Sequence, residues 1–261
     1  MTDFVLFSSA LRDLLRPKRA VGVLAAAVLP AVLGVVWRVQ AGPQRFDPEA
    51  AYNTLAAGLV FGFMLTILSV LFGTGIVSRE MEQKTIVYLL TRPVQRARII
   101  LAKLAAAAVA VSVVSWLAAG LLAVAAFGPS GLFTERLARD LMVLSLGALA
   151  YTSLSLLLAT LVNRAMLYGL YFAFGWESWV PTLPGSFQKV SVMTYLRVLA
   201  PHPAASGVGD ELAELLRALT PSQTITSHTA LTVLPIVIGS AILAAVVVFS
   251  LREYAPRDDA G

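Results

Sequence analysis

A stretch of about twenty apolar residues has one stable use, crossing a bilayer as a helix that satisfies its own backbone. Six stretches of this chain approach or exceed that length: residues 20–37, 52–77, 99–127, 141–162, 165–180 and 229–251. Of the 261 residues, 58% are hydrophobic and only 13% charged, against about 25% charged in a soluble domain. The expectation is an all-α membrane protein, a single transmembrane domain over residues 1–261, with the lipid bilayer as its first partner. Cysteine is absent, which excludes disulfides, thiolate metal sites and a cysteine nucleophile. The net charge of +5 reports topology rather than nucleic-acid binding.

Residues 1–19 place Phe4, Phe7, Leu11, Leu14 and Leu15 at helical spacing, with Arg12, Asp13 and Arg16 elsewhere around the wheel. That pattern predicts an amphipathic helix lying in the membrane interface. Charges this early, with no small-residue cleavage site after a short apolar core, predict that the first span stays attached. Pro30 is a candidate kink in that span, and residues 38–53 read as a polar external loop. Gly58 and Gly62 form a GxxxG pair in the second span, a pattern that lets helices approach closely. Gly128, Pro129, Ser130 and Gly131 end the third span, and Asn163 with Arg164 makes a tight turn between the fourth and fifth.

Six spans put both termini on one side. Assigning that side, residues 78–103 and residues 163–164 to the cytoplasm gives it thirteen of the 20 Lys and Arg residues, as the positive-inside rule requires. The expected location is the cell (inner) membrane, multi-pass, with both termini cytoplasmic.

The densest charge lies in SREMEQKTIVYLLTRPVQRARIILAK, residues 78–103. Ser78 is a candidate cap, Glu80 and Glu82 fall in the first turn, and Glu80 with Lys84 is an i,i+4 pair in the favourable orientation. A helix is therefore expected over 79–92, stopped by Pro93. Ile86, Val87, Tyr88, Leu89 and Leu90 are too apolar for a free loop and require a partner to bury them. The pattern of Glu80, Glu82, Thr85, Leu89, Leu90, Pro93, Arg96 and Lys103 resembles the segment after the second span of type-2 ATP-binding-cassette (ABC) transporter permeases, also grouped with the type V exporters. Lys84 departs from that family, which usually has Gly before the Thr. The resemblance implies a coupling helix that docks into an ABC ATPase subunit through Glu80, Glu82, Lys84, Thr85, Leu89, Leu90, Pro93 and Arg96. It also implies a homodimer, or a heterodimer with a related permease, and a second cytoplasmic contact at Asn163 and Arg164. ATP and Mg would sit on the partner subunit. Gly73, Thr74 and Gly75 are not a Walker A loop, so no cofactor is expected on this chain.

The fifth run ends irregularly at Glu177, Pro181 and Pro184. Twelve residues past Ala165, the Glu177 carboxylate would lie about 18 Å into the membrane. An intramembrane carboxylate marks a gate or pathway, or it braces a re-entrant piece, with Lys189 or Arg197 as candidate partners. The resembling family also tends to carry an acidic residue here, before short external helices. His202 and His228 are expected outside, without the spacing or third ligand of a metal site. Trp116, Trp176 and Trp179 read as interface anchors. Ser112, Ser115, Ser153 and Ser155 read as helix-packing positions.

The leading expectation is the permease subunit of an ATP-driven exporter. One alternative is a membrane-embedded enzyme acting on lipid or peptide through Glu80 and Glu82 or Glu177. The first two face different sides of a helix and lack a partnering His. The other alternative is a membrane scaffold that recruits a soluble partner. No catalytic residue is assigned.

Overall fold

The computed structural model describes residues 17–42, 44–82, 96–182, 185–203 and 225–251, with the backbone alone at 17–20, 77–82, 96, 182 and 185. Among these the regular structure is entirely helical. Helix α1 covers Pro17–Ala41 and passes through Pro30 without a break. Helix α2 covers residues 48–82 as α-helical Pro48–Leu55, π-helical Ala56–Leu65 and α-helical Thr66–Glu82. Helix α3 is Arg96–Phe127, and a short 3-10 turn, Pro129–Phe133, leads to α4, Glu135–Leu161. Helix α5 covers residues 165–182, switching to π geometry over Phe172–Trp176 and to 3-10 geometry over Val180–Thr182. A 3-10 segment, Gly185–Val190, then leads into α6, Val192–Leu199. Helix α7 is Ser227–Leu251.

Two starts lie earlier in the chain than hydropathy suggests. The polar loop expected over 38–53 shrinks to 42–47. Gly42 has a positive φ of 70°, and Asp47 caps α2 by accepting from the amides of Glu49 and Ala50, with Pro48 at the first helical position, where a missing N–H costs nothing. The fourth helix begins at Glu135 rather than near 141, capped by Thr134, whose hydroxyl accepts from the Leu137 amide. This extra length puts Arg136, Arg139 and Asp140 on α4. The third span stops where expected, at Gly128 with φ of 77°.

Five helices are long and apolar enough to cross a membrane, within α1, α2, α3, α4 and α7. The expected sixth span, 165–180, is not among them. Its chain stays helical to Thr182 and then doubles back, so that Glu177 meets Ser191. Ser78 is also corrected: it lies inside α2, four residues before Glu82, and so does not start a separate helix. Of the expected interface helix at 1–19, residues 17–19 belong to the first turn of α1 and the rest lies outside the described residues, as does the segment 83–95.

Helix α4 is the hub, packed against α2, α3, α5, α6 and α7. Close approach depends on glycines other than the GxxxG pair. A Cβ at Gly58 would meet nothing within 4 Å, and one at Gly62 would meet only the Ala57 carbonyl of its own helix. A Cβ at Gly73 would instead lie 2.6 Å from Ser155 Cβ on α4, and one at Gly169 would lie 2.6 Å from Val70 on α2.

Trp116 is also reassigned. It lies mid-helix on α3, and its indole N–H donates to the Leu141 carbonyl at 2.8 Å and to Ser145 Oγ at 3.1 Å, joining α3 to α4. Trp116→Phe should cost about 1 kcal/mol, read as a small fall in thermal unfolding midpoint. No fall would mean that the bond contributes nothing. Ser112 and Ser153 donate to carbonyls of their own helix.

Candidate functional site

The chain order and contacts define two ends of the bundle. Tyr52 stacks on Phe127 and bonds Asp140, which brings together the start of α2, the end of α3 and the start of α4 at one end. Residue 82, residue 96 and the turn at 162–164 belong to the opposite end. Asn163 and Arg164 are exposed there, and Arg164 accepts through its carbonyl from the amides of Leu167 and Tyr168 to start α5. Glu80 and Glu82 lie on the last turn of α2, and Arg96 is the first residue of α3. Lys84, Thr85, Leu89, Leu90 and Pro93 lie outside the described residues.

Glu177 is buried, and four donors converge on its carboxylate. Tyr151 OH (2.9 Å), Ser191 Oγ (2.7 Å) and the Met193 amide (3.0 Å) donate to Oε2, and the Val192 amide donates to Oε1 (3.2 Å). An N-cap serine ordinarily accepts from the first amides of its helix. Ser191 occupies that position on α6 but makes no such bond. It donates to Glu177 instead, and the carboxylate takes over the amides. The positive end of the helix dipole and four donors offset the cost of burying the charge. Tyr151 is ten residues before the end of α4, so this site lies about 15 Å from the 162–164 turn, near the middle of a bilayer core. Pro181 is buried four residues further on, and Pro184 lies outside the described residues. Tyr195 of α6 donates to the Lys189 carbonyl at 2.7 Å.

The other end of α6 is fastened by His202 together with Tyr52 and Asp140, two residues that sequence reasoning passed over. His202 lies in the non-helical segment that follows α6, at the end of the bundle opposite residues 82, 96 and 163, but its side chain is only 5% exposed and its Nε2 lies 3.2 Å from Asp140 Oδ2, whose side chain is 2% exposed. Tyr52 OH donates to the same carboxylate oxygen at 2.6 Å, and the imidazole sits between the Phe61 and Tyr52 rings at 5.1 and 6.1 Å. One turn before Asp140, Arg136 bonds Asn53 Oδ1 at 3.4 Å and Glu49 at 3.5 Å. His228 is exposed at the start of α7. Among the described residues, no group of three or more His, Cys, Asp or Glu could hold a metal.

The two fastenings share one register. Tyr151 meets Glu177 beside Ser191, Gly147 faces Leu196, and Asp140 meets His202. Moving back along α4 by eleven residues, from 151 to 140, matches moving forward by eleven residues, from 191 to 202. Helix α6 therefore lies antiparallel to α4, with Gly147 leaving room for Leu196 midway. Eleven residues are three helical turns, so Asp140 and Tyr151 share one face of α4. That spacing was the available signal.

Beside Glu177 a cleft of about 520 Å³ opens between α4, α5, α6 and α7. Leu154, Phe172, Trp176, Val192 and Leu234 make its wall mostly apolar, and Lys189 and Glu177 also line it.

A helical core with five helices long and apolar enough to cross a bilayer defines a multi-pass membrane component. Residues 15–175 match the family model described as ABC-2 family transporter protein, and the chain belongs to that family of transport permeases. The match stops two residues before Glu177, so that α6 and His202 lie beyond it. None of the curated proteins compared with the chain matches it.

Proposed function

We propose that the chain is the permease subunit of an ATP-driven ABC exporter in the cell (inner) membrane, with both termini cytoplasmic. It acts as a homodimer or beside a related permease. Membership of the ABC-2 transporter family carries this reading. The docking surface for a separate ATPase is the segment that joins α2 to α3, residues 79–92, with Glu80, Glu82, Lys84, Thr85, Leu89, Leu90, Pro93 and Arg96 as its contacts. Exposed Asn163 and Arg164, at the same end of the bundle, add a second contact. ATP and Mg are held by the partner.

Glu177 braces the re-entrant segment in this reading and does not receive substrate. Its carboxylate already accepts four hydrogen bonds, close to the capacity of its lone pairs, so a cationic cargo would have to displace them. Pro181 lies in the last turn of the helical run that carries it.

The test is co-purification with a co-expressed ABC ATPase in lipid nanodiscs, followed by ATP hydrolysis. Leu89→Asp should abolish co-purification, because a charge cannot be buried unpaired in an apolar cleft. Glu82→Ala should lower stimulated hydrolysis severalfold. Stimulation unchanged in both variants would overturn the docking assignment.

A further inference from the structure

We propose that His202, Asp140 and Tyr52 form a pH-operated latch, which fastens the C-terminal end of α6 to α2 and α4 when the pair holds one proton and releases it when that proton leaves. The permease reading does not use this cluster, and the latch does not depend on that reading.

The geometry gives the two ends of α6 different chemistry. At its start, Glu177 is held by two hydroxyls and two backbone amides, none of which changes charge near neutral pH. At its end, Asp140 is held by a tyrosine hydroxyl and an imidazole, and histidine is the side chain that gains and loses charge between about pH 5 and 8. Both members of the pair are buried. With one added proton, the pair is neutral overall whichever atom carries it. Without that proton, a carboxylate lies out of water with only neutral donors on it, which is costly. Acid therefore closes the latch and alkali loosens it.

The surroundings do not cancel this sign. From α2 the cluster meets Tyr52 and Phe61, with Glu49 one turn away. From α4 it meets Asp140, with Arg136 one turn away and bonded to Glu49 and Asn53. From α3 it meets Phe127, whose ring is tilted against that of Tyr52; Arg38 of α1 bonds the Ala125 carbonyl two residues before it, and Arg139, next to Asp140, is exposed. Arg197, on α6 itself, is the nearest charge on the moving element and is exposed. His202 lies between Pro201 and Pro203, whose restricted backbones limit the ways in which the imidazole can leave without carrying the end of α6 with it.

Because the chain has no cysteine, spin labels at Arg197→Cys and Val39→Cys would be the only thiol adducts. Their separation is measured by double electron–electron resonance on the full chain in lipid nanodiscs, without ATPase, at pH 6.0 and 8.5. The expected result is one narrow distance at pH 6.0 and a second, displaced population at pH 8.5. The open-to-closed ratio should rise by up to about tenfold per pH unit, the limit for a single proton. His202→Gln and Asp140→Asn should each remove the pH response, and either variant suffices if the other fails to fold. A wild-type distribution unchanged over this range, or a pH response that survives in these variants, would overturn the latch. Neither result bears on ATPase docking, so the latch and the permease reading can fail separately.

Discussion

Glu177→Ala should be the most damaging single substitution outside the docking segment, with a loss of about 3–5 kcal/mol, the scale found when one partner of a buried charged network is removed. The change strands two hydroxyls and two amides in the middle of the bundle and leaves α6 without a cap. Tyr151→Phe removes one charge-assisted bond and should cost about 1.5–3 kcal/mol. Ser191→Ala should cost a similar amount. A double-mutant cycle between Tyr151 and Ser191 should show coupling, since both donate to the same oxygen. Thermal unfolding in detergent provides the comparison. Unfolding midpoints that are equal for wild type and Glu177→Ala would show that the carboxylate does not hold α6 to α4 and α5.

The second large effect is expected at Gly73, and three glycines test it together. At Gly73 an added Cβ would meet Ser155 Cβ at 2.6 Å and the Thr152 carbonyl oxygen at 3.0 Å. A backbone atom cannot step aside, so α2 and α4 must part. At Gly147 the clashing atoms are the methyl ends of Leu196 and Leu65, each at 2.8 Å, which can rotate away. At Gly58 there is open space. Gly73→Ala should therefore cost about 2–3 kcal/mol, and Gly73→Val should prevent recovery of monodisperse protein. Gly147→Ala should cost less, and Gly58→Ala should gain up to about 1 kcal/mol from helix propensity. Ser155→Gly should restore part of the loss in Gly73→Ala. Gly147 proving more sensitive than Gly73 would contradict this account of the packing.

Hydropathy made the long helices legible because burial in lipid leaves no alternative to a self-satisfied helix. It misjudged the starts of α2 and α4. The signals were present as Asp47 before Pro48 and Thr134 before Glu135, but polar residues on the first turns made both stretches read as loop. Residues 165–182 read as a span because their composition is apolar. That the helical run is interrupted after Thr182 and taken up again by α6 is decided by tertiary bonds, in which Glu177 is satisfied by a helix start fourteen residues later. Glu177 stood out as a lone carboxylate among tryptophans, although its partners could not be read. Asp140 and His202 are 62 residues apart, and nothing local to either announces the other. The misread GxxxG has a similar cause: spacing says where two glycines share a face, but not whether another helix lies against it.

One consequence follows from the length of α2. The same helix carries Glu82 at one end and Tyr52 at the other, thirty residues or about 45 Å apart at helical rise. A rod of that length pivoted by about 5° at its Glu82 end sweeps its far tip through about 4 Å, further than the 2.6 Å that joins Tyr52 to Asp140. In the permease reading proposed above, a small stroke delivered at the Glu82 end of α2 would therefore arrive at the other end of the bundle, by simple leverage, as a displacement large enough to unhook Tyr52.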